Sequence, residues 1–229
     1  MLNKDKRSLL LSLILGDGCL HTVHRGNKSY GTLIIGHGIA QADYQKWKAE
    51  LLSNCFDKQV KVRTSHQGNV VQISVGNNTF KAWRKFVYRN NKKDLSLILP
   101  FIRHPELALA IWLMDDGYVD ACVEKRKNGE NKAYSAKFRI YTCDQSEETQ
   151  HKLITWFKQN FDVNLKIRFQ KSTKRNKSYP FLVFTADDTL KVWKQIRQFV
   201  LQFKSMQYKF RHAESAYQRR MAQRTPNES

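Results

Sequence analysis

Two aspartates stand at matching places in this chain. Asp17 and Asp116 each close an apolar stretch, Leu10 to Gly18 and Leu109 to Gly117, and each is followed by glycine. Both stretches read as helices that end in Asp-Gly, with the glycine turning the chain out of the helix. A carboxylate there faces the carbonyl end of the helix dipole, which costs about 0.3–1 kcal/mol. One Asp-Gly pair is an ordinary turn sequence. Its recurrence at equivalent places in a strongly basic chain points instead to oxygen ligands for a divalent cation.

The elements that must position these carboxylates also come twice. Val70-Val71-Gln72-Ile73-Ser74-Val75 and Pro180-Phe181-Leu182-Val183-Phe184-Thr185 each precede an Asn/Asp turn and a helix reaching Trp83 or Trp193. Val60-Lys61-Val62-Arg63 matches Leu165-Lys166-Ile167-Arg168 upstream. The first half is expected to form a hairpin over Cys19 to Arg25 and Tyr30 to His37, a helix from Ala42 to Phe56, and a second hairpin from Gln59 to Val75. In the second half the strands are Tyr118 to Glu124, Tyr134 to Cys143, Val163 to Phe169 and Tyr179 to Thr185. Its middle helix runs from Gln145 to Phe161, opened by Asp144 and Glu147 as a capping box. Each half reads helix, hairpin, helix, hairpin, helix.

Charge suggests what the sheets meet. Lysine and arginine total 40 against 20 acidic residues, a formal charge of +20 in 229 residues. So large an excess calls for a polyanion. No stretch has the length of a spanning helix, and the basic residues are dispersed, so nucleic acid is favoured over a membrane. Met1 to Leu15 lacks a small-residue cleavage pattern and reads as mature structure. Strand alternation turns Val60, Val62, Leu165 and Ile167 inward and Lys61, Arg63, Lys166 and Arg168 outward. Gln72, Lys137 and Arg139 are further candidates on strands. Arg25 and Lys28, His66 to Asn69, Lys125 and Arg126, and Lys171, Lys174 and Arg175 make basic or Gly/Asn-rich hairpin tips. Any one of these is an ordinary solvated patch; together they fit a sheet surface against phosphates and base edges. Charge does not choose DNA over RNA. The four cysteines lack metal-site spacing and read as buried thiols, and His37 and His104 read as core or surface residues rather than ligands.

Leu10-Leu11-Ser12-Leu13-Ile14-Leu15-Gly16-Asp17-Gly18 and Leu109-Ala110-Ile111-Trp112-Leu113-Met114-Asp115-Asp116-Gly117 resemble the two motifs of a LAGLIDADG homing endonuclease. Asn90-Asn91-Lys92-Lys93 and Met206-Gln207-Tyr208-Lys209 resemble the corresponding segments of its single-chain members, so the likeness covers nearly the whole chain. It implies an α+β fold of two pseudo-twofold-related αββαββα halves, residues 1–94 and 95–209 with a basic extension at 210–229, forming a saddle-shaped antiparallel sheet surface. It implies a monomer that acts as an internal pseudo-dimer and makes a staggered break in a long, asymmetric double-stranded DNA target. Asp17 and Asp116 are then the catalytic metal ligands for Mg²⁺ or Mn²⁺, with Lys93 and Lys209 as active-site lysines. Ser12 and Gly16 supply close packing on the first motif helix, helped by Ala108 and Ala110 on the second. Ile111 and Asp115 are larger than the small residues usual there, and Asp115 contributes at most a backbone carbonyl. The chief rival is a maturase that holds group I intron RNA on the same fold. A DNA-binding regulator and a zinc nuclease are weaker alternatives. The expected location is inside a cell, in an organelle or in bacterial or phage-infected cytoplasm.

Overall fold

The structure, a computed structural model, describes residues 3–65, 67–125, 131–142, 145–172 and 177–223. Two compact units divide the chain. The first runs to Asp115 and includes Phe203–Met206; the second takes Asp116–Gln202 and the chain from Gln207 onward.

In the first unit, α1 (Lys4–Leu15) is followed by β1 (Cys19–Arg25), β2 (Lys28–Gly38), α2 (Ala42–Phe56), β3 (Val62–Thr64), β4 (Val70–Gly76) and α3 (Asn78–Val87). A short ribbon, β5 (Tyr88–Arg89) and β6 (Lys92–Lys93), leads through two 3-10 turns to α4 (Pro105–Asp116). The second unit has β7 (Gly117–Lys125), β8 (Asn131–Tyr141), α5 (Glu147–Phe161), β9 (Lys166–Ser172), β10 (Lys177–Val183) and α6 (Ala186–Leu201), then α7 (Lys204–Ala222) from Gln207 on. The sheets are antiparallel, ordered β1-β2-β4-β3 and β7-β8-β10-β9. The αββαββα repeat of the sequence is thus a repeat of topology.

Alternation gives each sheet one apolar face. Leu20, Leu33, Ile35, Ile73 and Val75 are nearly or fully buried in the first unit, as are Val119, Ala136, Phe138, Ile140 and Leu182 in the second. Phe138 makes edge contacts with Trp193 of α6 and Phe210 of α7, which stack on each other at 5.4 Å. Burying aromatic area of this size holds the helices to the sheet.

Several boundaries differ from the sequence reading. β3 starts at Val62, so Lys61 lies in the lead-in rather than on the strand. β9 and β10 start later and earlier than expected, and the register of β10 is one residue off the repeat. Leu182 lies beside Ile140 on the inner face, while Phe181, paired with Tyr141 and Arg168, lies on the outer one. Sequence similarity cannot detect such a slip where both neighbours are apolar. Ser146 caps α5 by accepting from the Thr149 N–H at 3.1 Å, which leaves Glu147 too early to close a capping box; Asp144 lies outside the described residues. Thr185, ahead of the aspartates of the second turn, caps α6 through the Asp188 N–H, whereas Asn77 of the first turn caps α3. Of the cysteines, Cys55 is buried, Cys19 half-buried and Cys122 exposed, because Cys122 pairs with Ser135 on the outer side of the alternation. Cys143 lies outside the described residues.

Candidate active site

α1 stops at Leu15, so Asp17 lies just beyond the helix, in the turn to β1. Two interactions fix that turn. Gly18 donates its N–H to the Leu13 carbonyl at 2.9 Å, so close that an added Cβ would lie 2.4 Å from that oxygen. Glycine is needed here for want of a side chain, not for a left-handed backbone; among the described glycines, positive φ occurs at Gly26 and Gly68. The Asp17 N–H donates to Asp115 Oδ2 at 2.9 Å.

Asp115 is the centre of a buried polar cluster that the sequence did not announce. Lys48 of α2 donates to its two carboxylate oxygens at 2.7 and 2.9 Å, and both side chains are 0% exposed. The Tyr44 hydroxyl donates to Oδ1 at 3.0 Å, with its ring 4.3 Å from the Lys48 ammonium. Gly16 leaves the room: a Cβ there would lie 2.1 Å from Asp115 Oδ2. The size mismatch at Asp115 is therefore absorbed by the absent side chain opposite. Burial raises the Asp115 pKa, but the charge of Lys48 and the hydrogen bonds from Lys48 and Asp17 outweigh it and hold the group below the ordinary carboxylate value.

His37, at the end of β2, completes the cluster. Its Nε2 lies 2.9 Å from Lys48 Nζ. An ammonium only donates, so Nε2 is the acceptor, and the network assigns the proton to Nδ1. Nδ1 lies 3.5 Å from Asp17 Oδ2.

Asp17, His37 and Asp115 bring one ligand atom each within 4.8 Å of one another, a spacing compatible with a metal site. Lys48 fills it. A cation among these three would face the ammonium and compete with it for both Asp115 oxygens. Asp17 is the member that reaches solvent, with 34% of its side chain exposed, and a carboxylate is the hard oxygen donor that Mg²⁺ or Mn²⁺ takes.

Lys93, on β6, donates to the carbonyls of Ile14 and Gly16, both at 2.7 Å. It neutralises the C-terminal end of α1 beside Asp17. In the second unit, Asp116 is half-buried as the last residue of α4, and Lys209 is half-buried on α7. The two lysines stand on unlike elements, a ribbon and a helix, each following the third helix of its half.

The predicted nucleic-acid residues fall mostly on the outer sheet faces. In the first unit Arg63 pairs across strands with Gln72, and Lys28 opens β2 opposite Arg25. In the second, Arg139 and Lys166 share a row through Val183, Arg168 lies next to Phe181, and Lys137 and Lys171 are exposed. Arg139 is already engaged: it pairs with Asp120 and sits over the Phe181 ring at 5.0 Å. Lys125 is the last residue of β7; Arg126, Lys174, Arg175 and His66 lie outside the described residues.

The residues missed, Tyr44, Lys48, His37 and the Asp115 carboxylate, had a signal. Tyr44, Lys48, Leu52 and Cys55 follow one buried stripe of α2. A lysine inside an apolar stripe demands a buried anion.

Residues 7–192 match the model of the LAGLIDADG DNA endonuclease family. Among curated proteins, Protein RecA of Mycolicibacterium flavescens is 28% identical over 211 residues, covering 91% of this chain and 47% of that protein. Protein RecA of Mycobacterium gastri is 26% identical over 183 residues, covering 73% and 39%. The chain thus spans less than half the length of these relatives. Among solved structures, the homing endonuclease I-WcaI bound to its DNA recognition sequence has a TM-score of 0.64 at 22% identity, covering 91% of this chain and 87% of that one. I-DmoI in complex with DNA and Mn has a TM-score of 0.52 at 15% identity, covering 84% and 96%. The meganuclease I-SmaMI bound to uncleavable DNA has 0.53 at 12%, covering 96% and 92%.

Proposed function

Because this chain belongs to the LAGLIDADG DNA endonuclease family, we propose that it is a divalent-metal-dependent, site-specific homing endonuclease that hydrolyses a long asymmetric DNA duplex into a staggered double-strand break. The observation that carries this reading is Asp17. It is an exposed carboxylate at the end of a motif helix, its N–H fixed by Asp115 and the neighbouring helix carbonyls neutralised by Lys93.

Asp17 and Asp116 would each serve as a metal ligand. When bound, Mg²⁺ or Mn²⁺ draws charge from a phosphate oxygen and makes water acidic enough to attack. Lys93 keeps positive charge beside Asp17 and can orient a water or a phosphate oxygen; Lys209 would be the matching lysine for Asp116. Exposed Arg63, Lys137, Lys166, Arg168 and Lys171 supply the positive surface that draws in the duplex, and sheet side chains such as Gln72 can read base edges. Two unlike halves in one chain suit a monomer and a target without a palindrome.

A cleavage selection on a randomised duplex library with Mg²⁺ tests the proposal. A discrete cut sequence is expected, with Asp17→Asn and Asp116→Asn each lowering the rate at least a hundredfold. Absence of any metal-dependent cut, together with stimulation of group I intron splicing that survives both substitutions, would assign the fold to RNA binding instead.

A further inference from the structure

The two copies of the repeat differ at the positions that form this cluster. Since α2 and α5 are equally long, Tyr44 and Lys48 correspond to Thr149 and Leu153, and His37 corresponds to Thr142; all three counterparts are buried and uncharged. Asp115 corresponds to Gly16, which has no side chain. The arrangement Asp115, Lys48, His37, Tyr44 therefore has no charged counterpart at the matching positions, and it reaches the motif turn through the backbone N–H of Asp17, which donates to Asp115.

We infer that Asp115 is a positioning residue for Asp17: its buried carboxylate, oriented by Lys48 and Tyr44, clamps the Asp17 N–H and so aims the Asp17 carboxylate at a divalent cation. The inference deepens the nuclease reading and rests on it for the use of the cation, while the clamp itself does not. Several features support it. Beyond Leu15 the helix gives Asp17 no regular fold of its own, so its direction must be set from outside. Asp115 is placed to set it because three donors fix the carboxylate from different sides: Lys48 on both oxygens, Tyr44 on Oδ1 and Asp17 on Oδ2. A carboxylate so surrounded has little room to rotate. A cation on Asp115 would have to compete with the Lys48 ammonium, which donates to both of its oxygens. His37 adds a second restraint on the Asp17 side chain, with Nδ1 3.5 Å from Oδ2.

The test separates the clamp from the buried charge pair. Asp115→Asn/Lys48→Met removes both charges and keeps an oxygen that can accept from Asp17; Asp115→Ala/Lys48→Met removes the oxygen as well. Amide hydrogen exchange is followed by NMR on the full chain without metal or DNA, and Mn²⁺ affinity is then titrated, with Asp17→Asn as the control that identifies binding at Asp17. In the parent and the Asn variant, the Asp17 amide should exchange slowly despite its exposed position, with Mn²⁺ affinities within threefold of each other. In the Ala variant it should exchange at least tenfold faster and Mn²⁺ affinity should fall at least tenfold, while amides of β2 and β4 keep their parent rates. An Asp17 amide as protected in the Ala variant as in the parent, or unchanged Mn²⁺ affinity there, overturns the inference. So does Mn²⁺ binding that Asp17→Asn leaves intact. Should the Ala variant lose protection in β2 and β4, the single Asp115→Asn change decides: a slow Asp17 amide supports the clamp, a fast one overturns it. A parent that passes these measurements and cuts no DNA would remove the nuclease reading and leave the clamp standing.

Discussion

At the scale of single residues, the Asp115 and Lys48 pair is the most consequential local choice. Two charges with no solvent exposure are tolerated because each is satisfied by the other and by neighbouring donors. Lys48→Ala strands a buried carboxylate and should destabilise the first unit by about 3–5 kcal/mol, read as a shift in the urea midpoint. Gly16→Ala places a methyl group against Asp115 and should cost about 1–3 kcal/mol in the same measurement. Acid should act through the same groups. Asp115 and Glu214, which is held by Arg197 and Trp193, both have pKa values below their ordinary 3.8 and 4.5. Their ionised forms favour the fold, and that contribution is complete above those ordinary values. It drains away as the pH falls through the lower folded-state values, so this contribution to the thermal midpoint should hold down to about pH 5 and drop below about pH 4. Asp115→Asn/Lys48→Met should flatten that acid limb.

At the scale of elements, the sequence was most informative where periodicity and chemistry agree. α2 begins and ends where its amphipathic stripe predicts, and β1 spans the residues expected of it, Cys19 to Arg25. Caps were harder to place in the second half, because Ser146 and Thr185 lie among other good capping residues and only geometry selects the one whose oxygen reaches the right N–H. Thr185→Ala should lower the stability of the second unit by roughly 1 kcal/mol, since it also loses the hydroxyl bond to Asp188, whereas Asp187→Ala should cost about half as much or less. Denaturant titration compares the two. The candidate site divides in the same way. Asp17 and Asp116 were visible because a repeated, unfavourable placement asks for an explanation. Asp115 was passed over because its carboxylate accepts from a backbone 98 positions earlier, and no local pattern records such a contact.

For the whole molecule, net charge is the dominant feature, and it sets how binding must respond to salt. If six to ten phosphates are contacted, DNA affinity should fall by about 10³ to 10⁵ between 50 and 200 mM salt. Lys166→Ala and Arg168→Ala should each reduce the slope of log K against log salt by about one, with little effect on target choice. Arg139→Ala should differ, because Asp120 already neutralises that guanidinium; it should move sequence preference more than slope. Fluorescence anisotropy across a salt series, with the cut sequence and a scrambled duplex, separates the cases.

The fit of Asp115 against Gly16 also ties two distant positions of the repeat to each other. Exchanging the two residues would take from Lys48 the carboxylate to which it now donates, and an aspartate at both positions would bring a Cβ to 2.1 Å from Asp115 Oδ2. These positions can therefore change only as a matched pair.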